Sequence, residues 1–173
     1  MKSTKGLFRA LLVACAVIGA GSGLPASADN PTGPSSQIFD LLVGSWLATY
    51  DVQAFGFPIP ILLSFTRDGV MIETDTPAPT PVGNLGTLIL SNGHGEWEPT
   101  GFRQFSYLYR KLVYQQDGLT PFGTTRTTAT GTISNDGAQL KANLLIEFLD
   151  VNGNVLLTAP GTANATKIRI EKP

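Results

Sequence analysis

Cysteine and histidine are almost absent from this chain: Cys15 and His94 are the only ones among 173 residues. A disulfide framework is excluded, and so is a zinc site of cysteine and histidine ligands, because each needs several such side chains. No spacing of Asp and Glu carries a metal-ligand signature, so neither metal nor cofactor is expected. Charge is sparse as well, with 12 basic and 13 acidic residues making up 14% of the chain. That balance does not supply the clustered Lys and Arg from which nucleic-acid affinity is built. Long helical rhythms are missing too. After Gly44 no stretch holds a 3.6-residue period, which excludes the alternating βαβ folds.

The one extended apolar run lies near the start, in "MKSTKGLFRALLVACAVIGAGSGLPASADN". Lys2, Lys5 and Arg9 precede it, it spans Ala10 to about Gly21, and Ala26-Ser27-Ala28 follows. This order reads as a secretory signal over residues 1–28, cleaved after Ala28, for a protein exported to the periplasm or the extracellular space. The run is too short to cross a bilayer as a stable helix, and no transmembrane segment is expected in the mature chain. Leu12-Val13-Ala14-Cys15 looks like the lipid-attachment box of bacterial lipoproteins, which makes anchoring through Cys15 the minor alternative. Cleavage after Ala28 leaves about 145 residues, enough for one domain, with no thiol and a net charge of about −4. Stability must then come from packing and a closed hydrogen-bond network.

Residues 29–38, with Pro31 and Pro34, read as a flexible lead-in to a single domain over 39–173. Ser35 or Ser36 is placed to cap one or two helical turns ending at Gly44. So short a helix is stable only against a surface, such as the end of a barrel. From Gly44 the period becomes two: Trp46, Ala48, Tyr50 and Val52 share one parity, as do Ile59, Ile61, Leu63 and Phe65. Met71 and Glu73 alternate with Val70 and Ile72, and Leu140 through Phe148 repeat the pattern. "RDG", "QDG", "NDG" and "DVNGN" mark hairpin turns, and "DTPAPTPVGNLG" reads as a long loop over a barrel mouth or an irregular strand edge. About eight antiparallel strands in simple succession give an all-β fold. A closed eight-stranded up-and-down barrel is expected, because closure removes the edge strands that an open sheet exposes.

Gly44-Ser45-Trp46, entered from a short helical turn and followed by hairpin-linked strands, resembles the lipocalin and wider calycin group. The runs "LVGSW", "FTRDG" and "HGEWEPTGFRQF" look more specifically like a bacterial lipocalin-like domain family. The resemblance covers about Leu41 to Arg169. It implies that Gly44 and Trp46 are structural, with the indole across the closed end beneath a basic residue of the last strand. Arg169 is the match for that residue, with Lys167 as fallback. It implies a small apolar or amphipathic ligand, and also leaves room for cyclases and isomerases that fold a substrate inside the cup.

Two stretches carry the candidate chemistry. "NGHGEWEPTG" puts His94, Trp97, Glu96 and Glu98 close together; His94 serves either as a pocket or catalytic imidazole or as a strand-entrance residue with Trp97 in the core. In "FRQFSYLYRKLVYQQ" the odd positions carry Arg103, Phe105, Tyr107 and Tyr109. If this parity faces inward, Arg103 enters the cavity near its mouth above an aromatic wall, an arrangement suited to an apolar body with a polar head. The expected ligand-binding set is therefore His94, Trp97, Arg103, Phe105, Tyr107 and Tyr109. If the protein is instead a cofactor-independent cyclase or isomerase, His94, Arg103, Tyr107 and Tyr109 are its polar participants. A solid-core barrel acting through its surface is the third reading.

Overall fold

Ten strands carry the two-residue alternation in a computed structural model that describes residues 40–76 and 78–170. They are β1 (Gly44–Val52), β2 (Ile59–Phe65), β3 (Val70–Thr74), β4 (Thr80–Pro81), β5 (Thr87–Leu90), β6 (Gly93–Gly101), β7 (Gln104–Gln115), β8 (Pro121–Ile133), β9 (Gln139–Asp150) and β10 (Val155–Lys167). The stretches read from the sequence as a signal (1–28) and a lead-in (29–38) lie outside the described residues.

All pairings are antiparallel, and eight staves close into a barrel in the order β7, β6, β3, β2, β1, β10, β9, β8 and back to β7. The expected eight strands and the observed ten agree once two breaks are allowed for. β5 and β6 both pair with β7, Leu90 opposite Val113 and His94 opposite Arg110, so they form one stave interrupted at Ser91-Asn92. The neighbouring stave is interrupted at residues 75–79: β3 pairs with β6 and β4 with β5. In the proline-rich stretch Thr80–Pro81 pair with β5 as a short edge strand, Gly83 N donates to the Ala54 carbonyl at 3.0 Å, and Val82 is buried in the core.

The barrel is shut at the end where β1 begins. A helical turn at Asp40–Leu42 covers it, burying Leu42 and Trp46. Trp46 Nε1 donates to the Leu42 carbonyl at 2.9 Å, which satisfies the indole inside an apolar setting. The basic residue on this indole is Lys167, not Arg169. Trp46 and Lys167 are register partners across β1 and β10, so their side chains share the inner face. Lys167 Nζ stands 5.3 Å from the indole centroid and donates to the Leu41 carbonyl at 2.7 Å. Arg169 lies beyond the strand end, is exposed, and donates to the Asp136 carbonyl instead. Gly44, at φ 127°, holds a backbone conformation that side chains resist, and a Cβ there would press on Lys167 Cε at 3.2 Å.

Strands β7 and β10 divide the interior between large and small residues. β7 contributes Phe105, Tyr107 and Tyr109, whereas β10 contributes Ala159, Ala163 and Ala165. Large side chains against small ones fill a narrow barrel without voids. No helix among the described residues is long and apolar enough to cross a membrane.

Candidate functional site

Phe105, Tyr107 and Tyr109 point inward, and of the two arrangements left open, a hollow cup or a packed interior, they take the packed one. Phe105 stacks on Tyr107 and Tyr107 on Tyr109, each pair at 6.1 Å between centroids. Phe65 meets Phe105, Tyr107 and Trp97 at 6.2, 5.9 and 6.1 Å, closing the lower half. Trp97 is buried and donates Nε1 to the Thr66 carbonyl at 2.8 Å. Aromatics on one parity can line a cavity or stack across it, and periodicity alone does not distinguish the two.

His94 and Arg103 sit elsewhere. His94 is exposed on the outer face of β6, opposite Ile72 and Arg110, and Glu96 and Glu98 share that face. The inner-face residues of "NGHG" are Gly95, opposite Tyr109 and Met71, and the buried Gly93. A Cβ on Gly93 would come within 2.5 Å of the Tyr109 ring and 3.0 Å of Glu73 Oε2, so the missing side chain is the space those groups occupy. Arg103 belongs to the turn between β6 and β7, at φ 57°, with its guanidinium 4.9 Å from the Phe102 ring. Its carbonyl accepts from Ile133 N, which puts it at the end shared with Trp46 and away from the mouth. β7 runs from the shut end to the open one, opposite to the direction the expected placement required. His94, Arg103, Tyr107 and Tyr109 therefore do not converge.

The polar group that does enter the barrel is Lys111, two residues beyond Tyr109 on the same parity and buried. Opposite it, the alternation of β3 turns Met71 and Glu73 inward, and Glu73 is only 1% exposed. Lys111 Nζ lies 3.0 Å from Glu73 Oε1 in hydrogen-bond geometry and 2.8 Å from Oε2, where the approach is too oblique for one. It also holds Asp75 at 2.5 Å, tying the start of the 75–79 break to β7. Burial pushes the Glu73 carboxyl up to about 7, and the nearby ammonium only partly offsets this. The Tyr50 and Tyr107 hydroxyls meet at 2.8 Å just below. Burial, first of all, raises the pKa of Tyr50, Tyr107 and Tyr109, so these phenols stay neutral.

Beside this cluster lies a small chamber of about 20 Å³. Its walls include Tyr50, Phe55, Ile59, Tyr109, Lys111 and Thr125. Among the described residues, backbone pairing is incomplete at this level. Leu62 to Phe65 of β2 pair with β3, but among the described residues Ile59 to Ile61 have no strand partner on that side, and β4 pairs only with β5. The chamber thus adjoins a gap between β2 and β4. Sequence reading put Glu73 on the parity of Met71 but gave it no role, and it missed Lys111, which the parity of β7 carried two residues beyond Tyr109 puts inside.

The chain matches no known family model and no curated protein. Its closed eight-stranded antiparallel barrel is consistent with a calycin or lipocalin-like fold. Such a barrel is wide enough either for its own side chains or for one small ligand. No group of three or more His, Cys, Asp or Glu is arranged to hold a metal ion among the described residues.

Proposed function

We propose that the protein is an exported binding protein for a small amphipathic molecule, whose polar head enters the chamber at the open end while its apolar body lies over the gap. The cluster of Lys111, Glu73 and Asp75 carries this reading. Buried ion pairs are often no more stabilising than apolar side chains of similar volume. Three charged groups placed above an otherwise apolar and aromatic core, next to a break in the wall, therefore point to ligand chemistry. Export is supported by the basic, apolar and small-residue order of residues 1–28. The test is native mass spectrometry of protein purified from its own host. A retained small molecule is the expected result; a bare mass, with no stabilisation by amphipathic probes, would reject the reading.

A second reading, a filled barrel acting through its surface, is favoured by the outer face. Val70, Leu108 and Leu145 are partly exposed there along one cross-strand row, in a groove of about 840 Å³ that also takes in Asp68, Glu96 and Glu98. A bare mass in the same experiment would favour it. Cyclase or isomerase chemistry is less well supported, since the stacked rings occupy the room a substrate would need.

A further inference from the structure

Two carboxylates face one ammonium inside the open end: Glu73 and Asp75 against Lys111. Around Glu73, the other titratable groups within the described residues are Tyr50, Tyr107 and Tyr109, from β1 and β7, and burial keeps them neutral. None of these neighbours supplies a second cation. With both carboxylates ionised the cluster has an unbalanced negative charge, which the burial of Glu73 disfavours and which an added proton or an added cation relieves. A proton on Glu73 is one remedy. The cationic head of a ligand is the other.

The chamber has the size and lining for a cationic head. Its volume of about 20 Å³ takes one water-sized group, which a primary ammonium matches and a planar carboxylate exceeds. Thr125 Oγ1 is fully buried on its wall without a hydrogen-bond partner, and Glu73 Oε2 is likewise unpartnered in hydrogen-bond geometry. Both can accept from an N–H donor. The rings of Tyr50, Phe55 and Tyr109 complete the enclosure, and aromatic rings attract cations. Resting on the binding function proposed above, we infer that the chamber receives the primary ammonium head of an apolar amine, whose chain leaves between β2 and β4 past Ile59. Two carboxylates then balance two ammonium groups, and at pH 7 and below Glu73 gives up its proton as the ligand enters.

Calorimetric titration of the host-purified protein, freed of any retained ligand, with n-hexylamine, hexanoic acid and 1-hexanol at pH 8 tests this. Hexylamine should bind at least tenfold more tightly than either of the others. Below pH 7 its affinity should fall several-fold per pH unit, and titrations repeated at pH 6 in buffers of different ionisation enthalpy should show proton release. Glu73→Gln, similar in size and leaving Lys111 with Asp75, should lose at least tenfold in hexylamine affinity while keeping the circular dichroism of the folded barrel. Should Glu73→Gln fail to fold, Thr125→Val takes its place and should weaken hexylamine several-fold without affecting hexanol. Preference for hexanol or hexanoate, or a hexylamine affinity unmoved by these substitutions, overturns the amine assignment and leaves the binding function standing. Failure of all three probes also overturns the amine assignment; the binding function is then decided separately by the mass retained from the host.

Discussion

Trp46 shows how much of the fold rests on one side chain. The indole is fully buried, bonded to Leu42 and overlain by Lys167. Trp46→Ala should cost on the order of 3 to 5 kcal/mol through the lost contacts and the cavity left behind. Lys167→Ala should destabilise more than Arg169→Ala, because only Lys167 joins the indole to the helical turn; denaturant melts of the three variants would rank them. Gly93→Ala should cost roughly 1 to 3 kcal/mol as an overpacked site, since the new methyl meets the Tyr109 ring. Glu73 gives a dependence on pH. Its proton is held more tightly in the folded protein, up to about 7 against 4.5 ordinarily, so stability falls as pH rises through that window and levels off above it. The span is on the order of 3 kcal/mol. The turn residues Asp117, Asp136 and Asp150 act with the opposite sign and at lower pH, because hydrogen bonds from Thr120, Ser134 and Asn154 hold their carboxyls below the usual range. Subtracting the Glu73→Gln stability curve from that of the wild type isolates the Glu73 contribution. A flat difference between pH 4.5 and 7 would show that the carboxyl is ordinary.

At the level of the strand, legibility depended on whether a local pattern had one structural meaning. Alternation in β1, β2 and β9 has one, a strand with a buried face, and Asp-Gly turns such as 117–118 and 136–137 have one as well. The breaks at 75–79 and 91–92 were less legible, because a loop crossing the mouth and a stave peeling from its neighbour both leave prolines, glycines and polar residues in sequence. The direction of β7 was misread for a similar reason: alternation fixes which residues point in and says nothing about which end is open. Counting hairpins from the Trp46 end gives the answer, since each turn reverses the chain. The stave broken at 75–79 also makes a local prediction. Lys111 ties Asp75 to β7, and Asp75→Asn should weaken that tie while leaving Glu73 on the ammonium. Hydrogen exchange should then quicken over residues 75–82 with little change in β8 and β9. Uniform loss of protection across the barrel would mean instead that the cluster supports the global fold.

For the whole molecule, the seam between β1 and β10 deserves separate treatment, because every other stave contact joins neighbours in the chain. Its register runs from Trp46 opposite Lys167 to Val52 opposite Gly161, joining the two ends of the described domain. The seam also needs small residues. A Cβ on Gly161 would meet the Asp51 carbonyl at 2.6 Å and Val52 Cγ2 at 2.8 Å, so β10 lies closer to β1 than larger side chains would permit. Without β10, both β1 and β9 would present unpaired backbone along their length, an invitation to pair with other copies. The hydrophobic residues of β1 and β9 would also face a breached core. A chain ended after Asp150 should therefore lose its cooperative unfolding transition and run as soluble aggregates in size-exclusion chromatography, even though seven staves and all the aromatic residues of β7 remain. A monomer with a sharp denaturant transition would mean that an open sheet suffices for this sequence, and that closure is not what stabilises a domain with no cysteine to cross-link it.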